Sequence, residues 1–227
     1  MKLLITSGAT REPIDDVRFL SNLSTGKTGA ALAGFFLEAG HAVSLLHGEG
    51  AVTPPPAELH CEAFSSASDL RSRLQRHLTT GNYDAIIMTA AISDFRPAQP
   101  VAGKISSEQN ELTLQLVRNE KILPQLKQFS PRSLTVVGFK LTVAADESVR
   151  RAAVAEQFAA GGVDVVVHND LAELKTFPRD RHPFWVYRSA TATPMSVRGA
   201  ASLGAEIELL VKAMIDSGPD VPNPAIA

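Results

Sequence analysis

KLLITSGATREPIDDVRFLSNLSTGKTGAALAGFFLEAG, residues 2–40, is the segment around which the predicted fold is built. Its apolar start, Leu3–Ile5, predicts a strand, and its second half predicts a helix that Ser24 or Thr25 caps and Gly40 ends. A strand that leads into a helix through glycine and hydroxyl residues is typical of phosphate sites, because the free N–H groups and positive dipole end of the helix attract anions. Four apolar residues recur at the spacing of one helical face: Leu32, Phe35, Phe36 and Ala39.

The two common phosphate-binding motifs do not fit this segment. A Walker A loop requires a glycine five residues before Gly26, where the sequence has Ser21, and the loop must leave a strand directly. A dinucleotide-binding fingerprint requires three closely spaced glycines after the first strand, where Gly8 stands alone. The segment therefore predicts an anion site of a different kind.

Later segments predict an α/β fold, a Rossmann-like parallel sheet flanked by helices, with a small antiparallel extension. Continuous apolar runs are typical of strands buried on both faces of a parallel sheet, whereas the alternating pattern of residues 111–117 is typical of a half-exposed antiparallel strand. Residues 184–187 suit an edge strand, with a turn at 188–194 that leads towards another strand. The apolar runs lie at 83–91, 135–139 and 163–170, and helices are predicted at 69–78, 147–160 and 200–214.

Composition restricts the class of protein. The 227 residues are 44% hydrophobic and 20% charged, with a net charge of −2, which argues against a surface built mainly to bind nucleic acid. Cys61 is the single cysteine, so no internal disulfide framework exists, and no apolar run reaches membrane-spanning length. We expect one cytoplasmic domain, residues 1–227, with a stiff proline linker at 54–56 and a flexible tail at 219–227.

The opening segment resembles phosphopantothenoylcysteine synthetase, the phosphopantothenate–cysteine ligase of coenzyme A synthesis. Residues 6–15, TSGATREPID, are similar to that family's first turn. Residues 17–27, VRFLSNLSTGK, are similar to its Arg-aromatic-x-Ser-Asn-x-Ser-Ser-Gly-Lys segment. Further similarities occur at AAISDFR (90–96), at GFKL (138–141) and at Lys104-Ile105, so the resemblance covers nearly the whole chain.

The resemblance implies a ligase that joins 4′-phosphopantothenate to cysteine. The acyl-nucleotide intermediate would form from CTP or ATP carrying Mg²⁺, with release of pyrophosphate. Lys104 would stabilise charge at the α-phosphate, and Asn22 would bind the pantothenoyl amide and hold the activated intermediate. Arg18, Ser24 and Thr25 would bind the phosphate of the pantothenate arm. The other implied binding residues are Gly8, Gly26, Lys27, Ala90, Ala91, Asp94, Ile122 and Phe139, of which Phe139 would lie against the nucleotide base.

The resemblance also implies a homodimer, because in the family the pantothenate arm reaches across a subunit interface. The antiparallel extension is expected to serve this dimerisation. The chain is similar to the free-standing form of the enzyme, without the flavin-dependent decarboxylase of bifunctional members. Its expected partners are small-molecule substrates and a second copy of itself, with neither nucleic acid nor membrane.

The sequence departs from the bacterial pattern at a helix expected to contact the triphosphate. The family's two lysines fall near Gln157 and Gly161, and no lysine occurs between residues 140 and 175. Arg150 and Arg151 lie about two turns upstream and would substitute if the helix were shifted. A second departure is His168, where the family usually has alanine.

Other interpretations remain open from the sequence. Asn22 also suits a cap or turn, Arg18 a surface ion pair, and Asp94 a turn before a proline. The missing lysines favour a non-catalytic paralogue that binds nucleotide or pantothenate. The parallel sheet and Gly8 are weakly typical of an NAD(P)-dependent reductase, although no Tyr-x-x-x-Lys pair is present.

Overall fold

A computed structural model describes residues 1–54, 59–108 and 110–217. The proline linker beyond Pro54 and the predicted tail at 219–227 lie outside the described residues. Within them, helices α1 to α6 are Lys27–Glu38, Ala67–Thr80, Leu126–Phe129, Glu147–Ala159, Leu171–Thr176 and Gly199–Asp216. Strands β1 to β12 are Lys2–Ser7, Arg11–Pro13, Phe19–Ser21, Ala42–Gly48, His60–Phe64, Ala85–Met88, Phe95–Pro97, Leu116–Arg118, Thr135–Thr142, Val165–Asp170, Pro183–Tyr187 and Met195–Arg198.

The main sheet has the strand order β12-β11-β10-β9-β6-β1-β4-β5. The strands from β10 to β5 in this order are parallel, whereas β11 is antiparallel to both of its neighbours. This arrangement confirms the predicted Rossmann-like sheet. The prediction of an edge strand at 184–187 is wrong, because β12 pairs with the outer side of β11 and forms the edge itself.

Both faces of the sheet are covered by helices. On one face, α1 and α6 pack over alternate strand residues such as Ile5 and Val167, with Phe36 and Ile207 fully buried between the layers. On the other face, α2 and α3 cover β1, β6 and β9, and α4 covers β9 and β10. The central strand β6 has all four residues buried, as its continuous apolar sequence predicted.

Helix α1 begins one or two residues later than the predicted cap at Ser24 or Thr25 requires. Its N-cap is Gly26, in the left-handed region with φ of 76°, and no side chain caps the helix, so the prediction of a Ser24 or Thr25 cap is wrong. The Gly26 carbonyl accepts a hydrogen bond from the Ser7 hydroxyl at 2.7 Å, which ties the start of the helix to β1. The predicted stop is confirmed, because Gly40 has φ of 80°.

The predicted apolar face of α1 is correct in its middle and wrong at its end. Leu32 and Phe36 are fully buried, and Phe35 packs against the same core. Ala39 is exposed, because it is the C-cap residue at the point where the chain turns away from the sheet. Ala33 completes the buried face instead.

Two small antiparallel pairs stand outside the main sheet. The first is the β2–β3 hairpin, and the second joins β7 to β8. The strand predicted at 111–117 is therefore present only at its end, since residues 111–115 have no regular structure. The helices of the described residues include none that is long and apolar enough to span a bilayer.

Candidate functional site

The candidate site lies at the carboxyl ends of β1 and β6, where the direction of strand order reverses. From this pair the sheet continues to β4 on one side and to β9 on the other. Such a switch point opens a crevice in which α/β proteins bind ligands. The two strand ends remain joined beyond the sheet, because the Ala91 N–H donates to the Gly8 carbonyl at 2.8 Å and the Thr10 N–H donates to the Ala91 carbonyl at 3.2 Å.

The larger cavity at this edge has a volume of about 500 Å³. Residues 26–29, at the N-terminus of α1, form part of its wall, and Lys27 adds a positive charge. The first turn of α1 contains no acidic residue, so its free N–H groups and dipole favour an anion there. The opposite wall is apolar and contains Phe139 and Phe184, whose rings stand edge to face with centroids 6.5 Å apart. This cavity therefore suits a ligand with an anionic part and a flat apolar part.

The absence of a side chain at Gly29 allows α1 to approach the strands closely. A Cβ atom at Gly29 would lie 2.5 Å from the Thr89 hydroxyl and 2.7 Å from Cβ of Ser7. Thr89 itself donates to the Thr6 carbonyl at 2.6 Å, which connects the ends of β1 and β6. The helix N-terminus is thus held directly against both strands of the switch point.

A smaller cavity of about 390 Å³ adjoins the first one. The two cavities share Leu23, Ser24 and Thr25 in their walls. The smaller one is also lined by Asn22, whose side-chain amide donates to the Ile92 carbonyl at 3.2 Å. Asn22 therefore connects the end of the β2–β3 hairpin with the loop after β6 and does not cap α1.

The structure brings together most of the predicted site residues. Those that line one or both cavities are Asn22, Ser24, Thr25, Gly26, Lys27, Ala90, Ala91 and Phe139. Gly8 lies beside the smaller cavity, where a Cβ atom would come within 2.6 Å of the Cβ of Ala51, one of its lining residues.

Besides Gly8 and Arg18, three predicted site residues lie outside both cavity walls. Asp94 is exposed and forms a 2.5 Å ion pair with Lys121. Ile122 is 3% exposed and packs in the core beneath α2, so its side chain does not face either cavity. Lys104 is exposed on the loop between β7 and β8.

Arg18 makes an ion pair, as its simpler interpretation predicted, but the partner is the buried carboxylate of Asp15 instead of a surface one. Its guanidinium donates to Asp15 at 2.8 Å and to the Ile105 carbonyl at 3.3 Å. Burial of the Asp15 carboxyl raises its pKa. Hydrogen bonds from the N–H groups of Val17, Ile105 and Arg18 lower the pKa by more, so it lies below the ordinary value. The phosphate-binding role of Arg18 stays a prediction.

Sequence reasoning missed two buried carboxylates of the β2–β3 hairpin. Glu12 is 2% exposed and accepts a hydrogen bond from the Ala67 N–H, at the start of α2, at 2.9 Å. Asp15 is 5% exposed. Charged residues in a polar turn ordinarily face solvent, so the sequence alone offered no signal of their burial. Together they fix the hairpin that leads to Asn22.

Sequence reasoning also missed the polar group contributed by β10. Asn169 lines the larger cavity, while its neighbours His168 and Asp170 point to the opposite face of the sheet, as strand alternation requires. Thr142 donates to Asp170 at 2.6 Å and lies 2.8 Å from Nε2 of His168. Since the threonine proton points to Asp170, the imidazole donates through Nε2. The family resemblance in this strand could have indicated Asn169.

The polar and basic side chains of α4 that the sequence analysis considered for triphosphate binding make local contacts instead. Gln157 is 8% exposed and its side chain packs against Gly138 of β9. A Cβ atom added to Gly138 would lie 2.4 Å from Nε2 of Gln157. Arg150 stacks over Trp185 at 4.4 Å from the ring centroid, and Arg151 pairs with Glu147 at 2.9 Å. Helix α4 lies on the face of the sheet opposite α1, so these side chains do not line the larger cavity.

One group of potential metal ligands occurs among the residues that the structure describes. His60, Glu62 and His77 come together between β5 and α2. Glu62 also accepts hydrogen bonds from Arg73 and Arg76. Burial raises the pKa of Glu62, but hydrogen bonds from His77 and Arg76 outweigh this effect and lower it to about 2. Two guanidinium groups on one carboxylate disfavour a cation, so we interpret this group as a structural ion-pair network.

Comparison with known families and proteins gives a consistent result. Residues 1–211 match the family model described as the DNA/pantothenate metabolism flavoprotein C-terminal domain. The chain is 35% identical over 195 residues to the coenzyme A biosynthesis bifunctional protein CoaBC of Mycobacterium bovis. That match covers 83% of this chain and 46% of the relative, so the chain spans about half the length of that protein.

Solved structures share the fold. The crystal structure of the DNA/pantothenate metabolism flavoprotein from Streptococcus pneumoniae superimposes with a TM-score of 0.82 and 26% identity, covering 94% of this chain and 99% of that one. The C-terminal domain of a coenzyme A biosynthesis bifunctional protein CoaBC superimposes with a TM-score of 0.74 and 25% identity, covering 95% and 96%.

Proposed function

The chain belongs to the family of DNA/pantothenate metabolism flavoprotein C-terminal domains, and we propose that it is a phosphopantothenate–cysteine ligase of coenzyme A synthesis. Its substrates would be 4′-phosphopantothenate, cysteine and a nucleoside triphosphate, CTP or ATP. The observation that carries this proposal is the pair of adjoining cavities that share residues 23–25 and meet beside the N-terminus of α1. Two cavities in contact suit a reaction in which a nucleotide and an acid must be joined.

The larger cavity fits the nucleotide. Phosphate oxygens would accept hydrogen bonds from the first-turn N–H groups of α1 and a charge-assisted bond from Lys27. The base would pack against Phe139 in the apolar wall. A phenyl ring offers a flat surface to either base, which is why both CTP and ATP are retained in the proposal. The pantothenate arm would then occupy the smaller cavity, beside Asn22.

The reaction would proceed in two steps, neither of which needs a nucleophile from the protein. A carboxylate oxygen of 4′-phosphopantothenate attacks the α-phosphorus, the bond to the β-phosphate oxygen breaks, and pyrophosphate leaves. The amine of cysteine then attacks the acyl carbon, the bond to the nucleoside monophosphate breaks, and the amine loses a proton. Both steps bring anions together, so positioning and cationic groups are what the protein must supply.

Mg²⁺ would be held in the larger cavity mainly by the phosphates of the nucleotide. Within the described part of the chain, no carboxylate lines this cavity. Mg²⁺ is commonly held by substrate phosphates and water with few protein ligands. The neutral side-chain oxygen atoms that the chain offers there include the Asn169 carbonyl and the hydroxyls of Thr25 and Thr28.

A second candidate function is binding without catalysis. The feature that favours it is in the sequence, since no lysine occurs between residues 140 and 175, where the bacterial members carry two lysines expected to contact the triphosphate. Losing a charge-assisted hydrogen bond to phosphate costs on the order of 1.5–3 kcal/mol. A paralogue of this kind would bind the nucleotide or pantothenate and release no pyrophosphate.

Pyrophosphate release by the purified protein tests the proposal. We expect release that requires 4′-phosphopantothenate, Mg²⁺ and either CTP or ATP, and the faster nucleotide identifies the co-substrate. Lys104→Gln should lower kcat by about a hundredfold or more, the effect of removing one group that stabilises developing charge. Lys212→Gln is the matched control, because Lys212 pairs with Glu208 on the surface of α6.

Each contrary result has a clear meaning. A folded protein that releases no pyrophosphate with either nucleotide would refute the ligase and leave the binding function. Equal losses in Lys104→Gln and Lys212→Gln would refute the role given to Lys104. Release of pyrophosphate without 4′-phosphopantothenate would indicate that another group, such as water, accepts the nucleoside monophosphate.

A further inference from the structure

Asp15 has an unusual position for a carboxylate in a turn, because its side chain is shielded from solvent and fully used in hydrogen bonds. Oδ1 accepts from the N–H groups of Val17 at 2.9 Å and Arg18 at 2.7 Å. Oδ2 accepts from the Arg18 guanidinium at 2.8 Å and from the Ile105 N–H at 3.1 Å. One carboxylate oxygen therefore shapes the turn after β2, and the other reaches across to the loop that carries Lys104.

The surrounding contacts join the same two segments. The Gly103 N–H donates to the Asp16 carboxylate at 2.8 Å, and the Asp16 N–H donates to the Gly103 carbonyl at 3.0 Å. The Val101 N–H donates to the Ile14 carbonyl at 3.0 Å. Residues 101–105 are thus hydrogen-bonded along residues 14–18, and Lys104 lies within the joined part with its side chain exposed.

A buried charge is costly unless its partners are in place, so the four hydrogen bonds of Asp15 act as one unit. Loss of the Ile105 contact would leave part of a buried carboxylate unsatisfied. The contacts on Oδ1 fix this carboxylate to the hairpin that ends at Asn22. Together with the contacts of Asp16 and Val101, Asp15 therefore contributes to the position of Lys104 relative to Asn22.

We propose that Asp15 is a positioning residue that holds the Lys104 loop against the β2–β3 hairpin. Its consequence for catalysis rests on the proposed function, in which Lys104 stabilises charge at the α-phosphate and Asn22 holds the activated intermediate. Asp15 touches neither cavity wall and acts through the loop. Nothing in the reaction chemistry itself requires an acid at this position.

Asp15→Asn is the sharpest test variant, because it changes one acceptor oxygen into an NH₂ group without changing shape. Both carboxylate oxygens face N–H donors, so either orientation of the amide places a donor against donors. Asp164→Asn is the matched control. Asp164 also accepts from a backbone N–H, that of Val136 at 2.8 Å, and from a lysine, Lys127, at 2.5 Å, away from the cavities.

Trypsin cleavage of the Lys104–Ile105 bond, followed by mass spectrometry, measures how firmly the loop is held. We expect cleavage about ten- to a hundredfold faster in Asp15→Asn than in the wild type, the range expected for loss of a charge-assisted hydrogen bond. Asp164→Asn should be cleaved at the wild-type rate. Equal rates in Asp15→Asn and the wild type would overturn the proposal.

Hydrogen exchange in the wild type gives a second test that needs no variant. The Ile105 amide should exchange about tenfold or more slowly than its intrinsic rate, because it is bonded to a buried carboxylate. Exchange at the intrinsic rate would overturn the proposal, even if Asp15→Asn failed to fold.

A double-variant comparison tests the link to Lys104. Asp15→Asn alone should lower kcat below that of the wild type. Added to Lys104→Gln, it should cause no further loss, because a residue that acts through Lys104 loses its effect when Lys104 is absent. Additive losses would overturn that link. Failure of the proposed function is distinguishable: the wild type would then release no pyrophosphate, while protease and exchange measurements would still decide whether Asp15 holds the loop.

Discussion

The imidazole of His168 is held neutral by its surroundings. It is 1% exposed on β10 and contacts the Thr142 hydroxyl, which in turn donates to Asp170. Burial lowers its pKa, nearby Arg150 lowers it further, and Asp170 opposes both, with a net value of about 4. The pKa of Asp170 lies well below its ordinary range, because hydrogen bonds from Thr142, Ala145, Ala172 and Ala144 outweigh the effect of burial.

This arrangement predicts an acid-sensitive fold. Because the folded pKa of His168 is below its unfolded value of about 6.5, the unfolded state binds the proton more readily. The contribution to stability is fully present above about pH 6.5 and is lost as the pH falls towards the folded pKa. We expect the free energy of unfolding to decrease by on the order of 1–2 kcal/mol between pH 7 and pH 5 from this residue.

Urea denaturation at several pH values measures the effect. His168→Gln is the suitable variant, because its amide can keep the hydrogen bond to Thr142 and does not titrate. The wild type should lose more stability than the variant over this pH interval. Parallel curves for the two proteins would show that His168 does not contribute.

At the scale of elements, the contact between α1 and the strand ends controls the larger cavity. Gly29→Ala would place a Cβ atom 2.5 Å from the Thr89 hydroxyl, and this neighbour is held by its bond to the Thr6 carbonyl. Overpacking of this kind costs about 1–3 kcal/mol. We expect a lower midpoint in urea and weaker nucleotide binding, because the N-terminus of α1 must move away from the strands.

Gly34→Ala on the same helix is the control. Apart from the neighbouring backbone of the helix, no atom of the described residues lies within 4 Å of a Cβ placed there, so the change should stabilise the helix by about 0.5–1 kcal/mol through propensity. Nucleotide binding, measured by calorimetry, should stay at the wild-type level in this variant. A Gly29→Ala protein with unchanged stability and binding would contradict the tight contact.

The sequence predicts an element correctly only where the burial of that element produces a distinct residue pattern. Apolar runs located β6, β9 and β10, because burial on both faces leaves a continuous pattern. The start of α1 was misplaced, because the hydroxyls of Ser24 and Thr25 satisfy the same rule whether they cap a helix or line a cavity. Asp15 and Glu12 left no signal, since a polar turn with buried acids has the same composition as an exposed one.

At the scale of the whole molecule, the residues that the structure describes leave the apolar side chains around β7 and β8 without a covering layer. Leu112 is 50% exposed, Leu114 39%, Leu116 43% and Phe95 41%. A two-stranded antiparallel pair cannot bury such a surface by itself. Clustered exposed apolar residues are typical of protein–protein contacts, and the family resemblance implies a second copy as the partner. We therefore propose that these residues form a homodimer interface.

The proposed interface can be tested by measuring mass in solution with light scattering coupled to size-exclusion chromatography. The wild type should be a dimer, and Leu116→Asp should be a monomer, because two buried carboxylates at a symmetric contact carry a large desolvation cost. Leu209→Asp is the control, since Leu209 is 61% exposed on α6, outside the β7–β8 pair, and should remain dimeric. The resemblance places the pantothenate arm across the interface, so the monomeric variant should also lose pyrophosphate release. A monomeric wild type at micromolar concentrations, or a monomeric Leu209→Asp beside a dimeric Leu116→Asp, would contradict this interface.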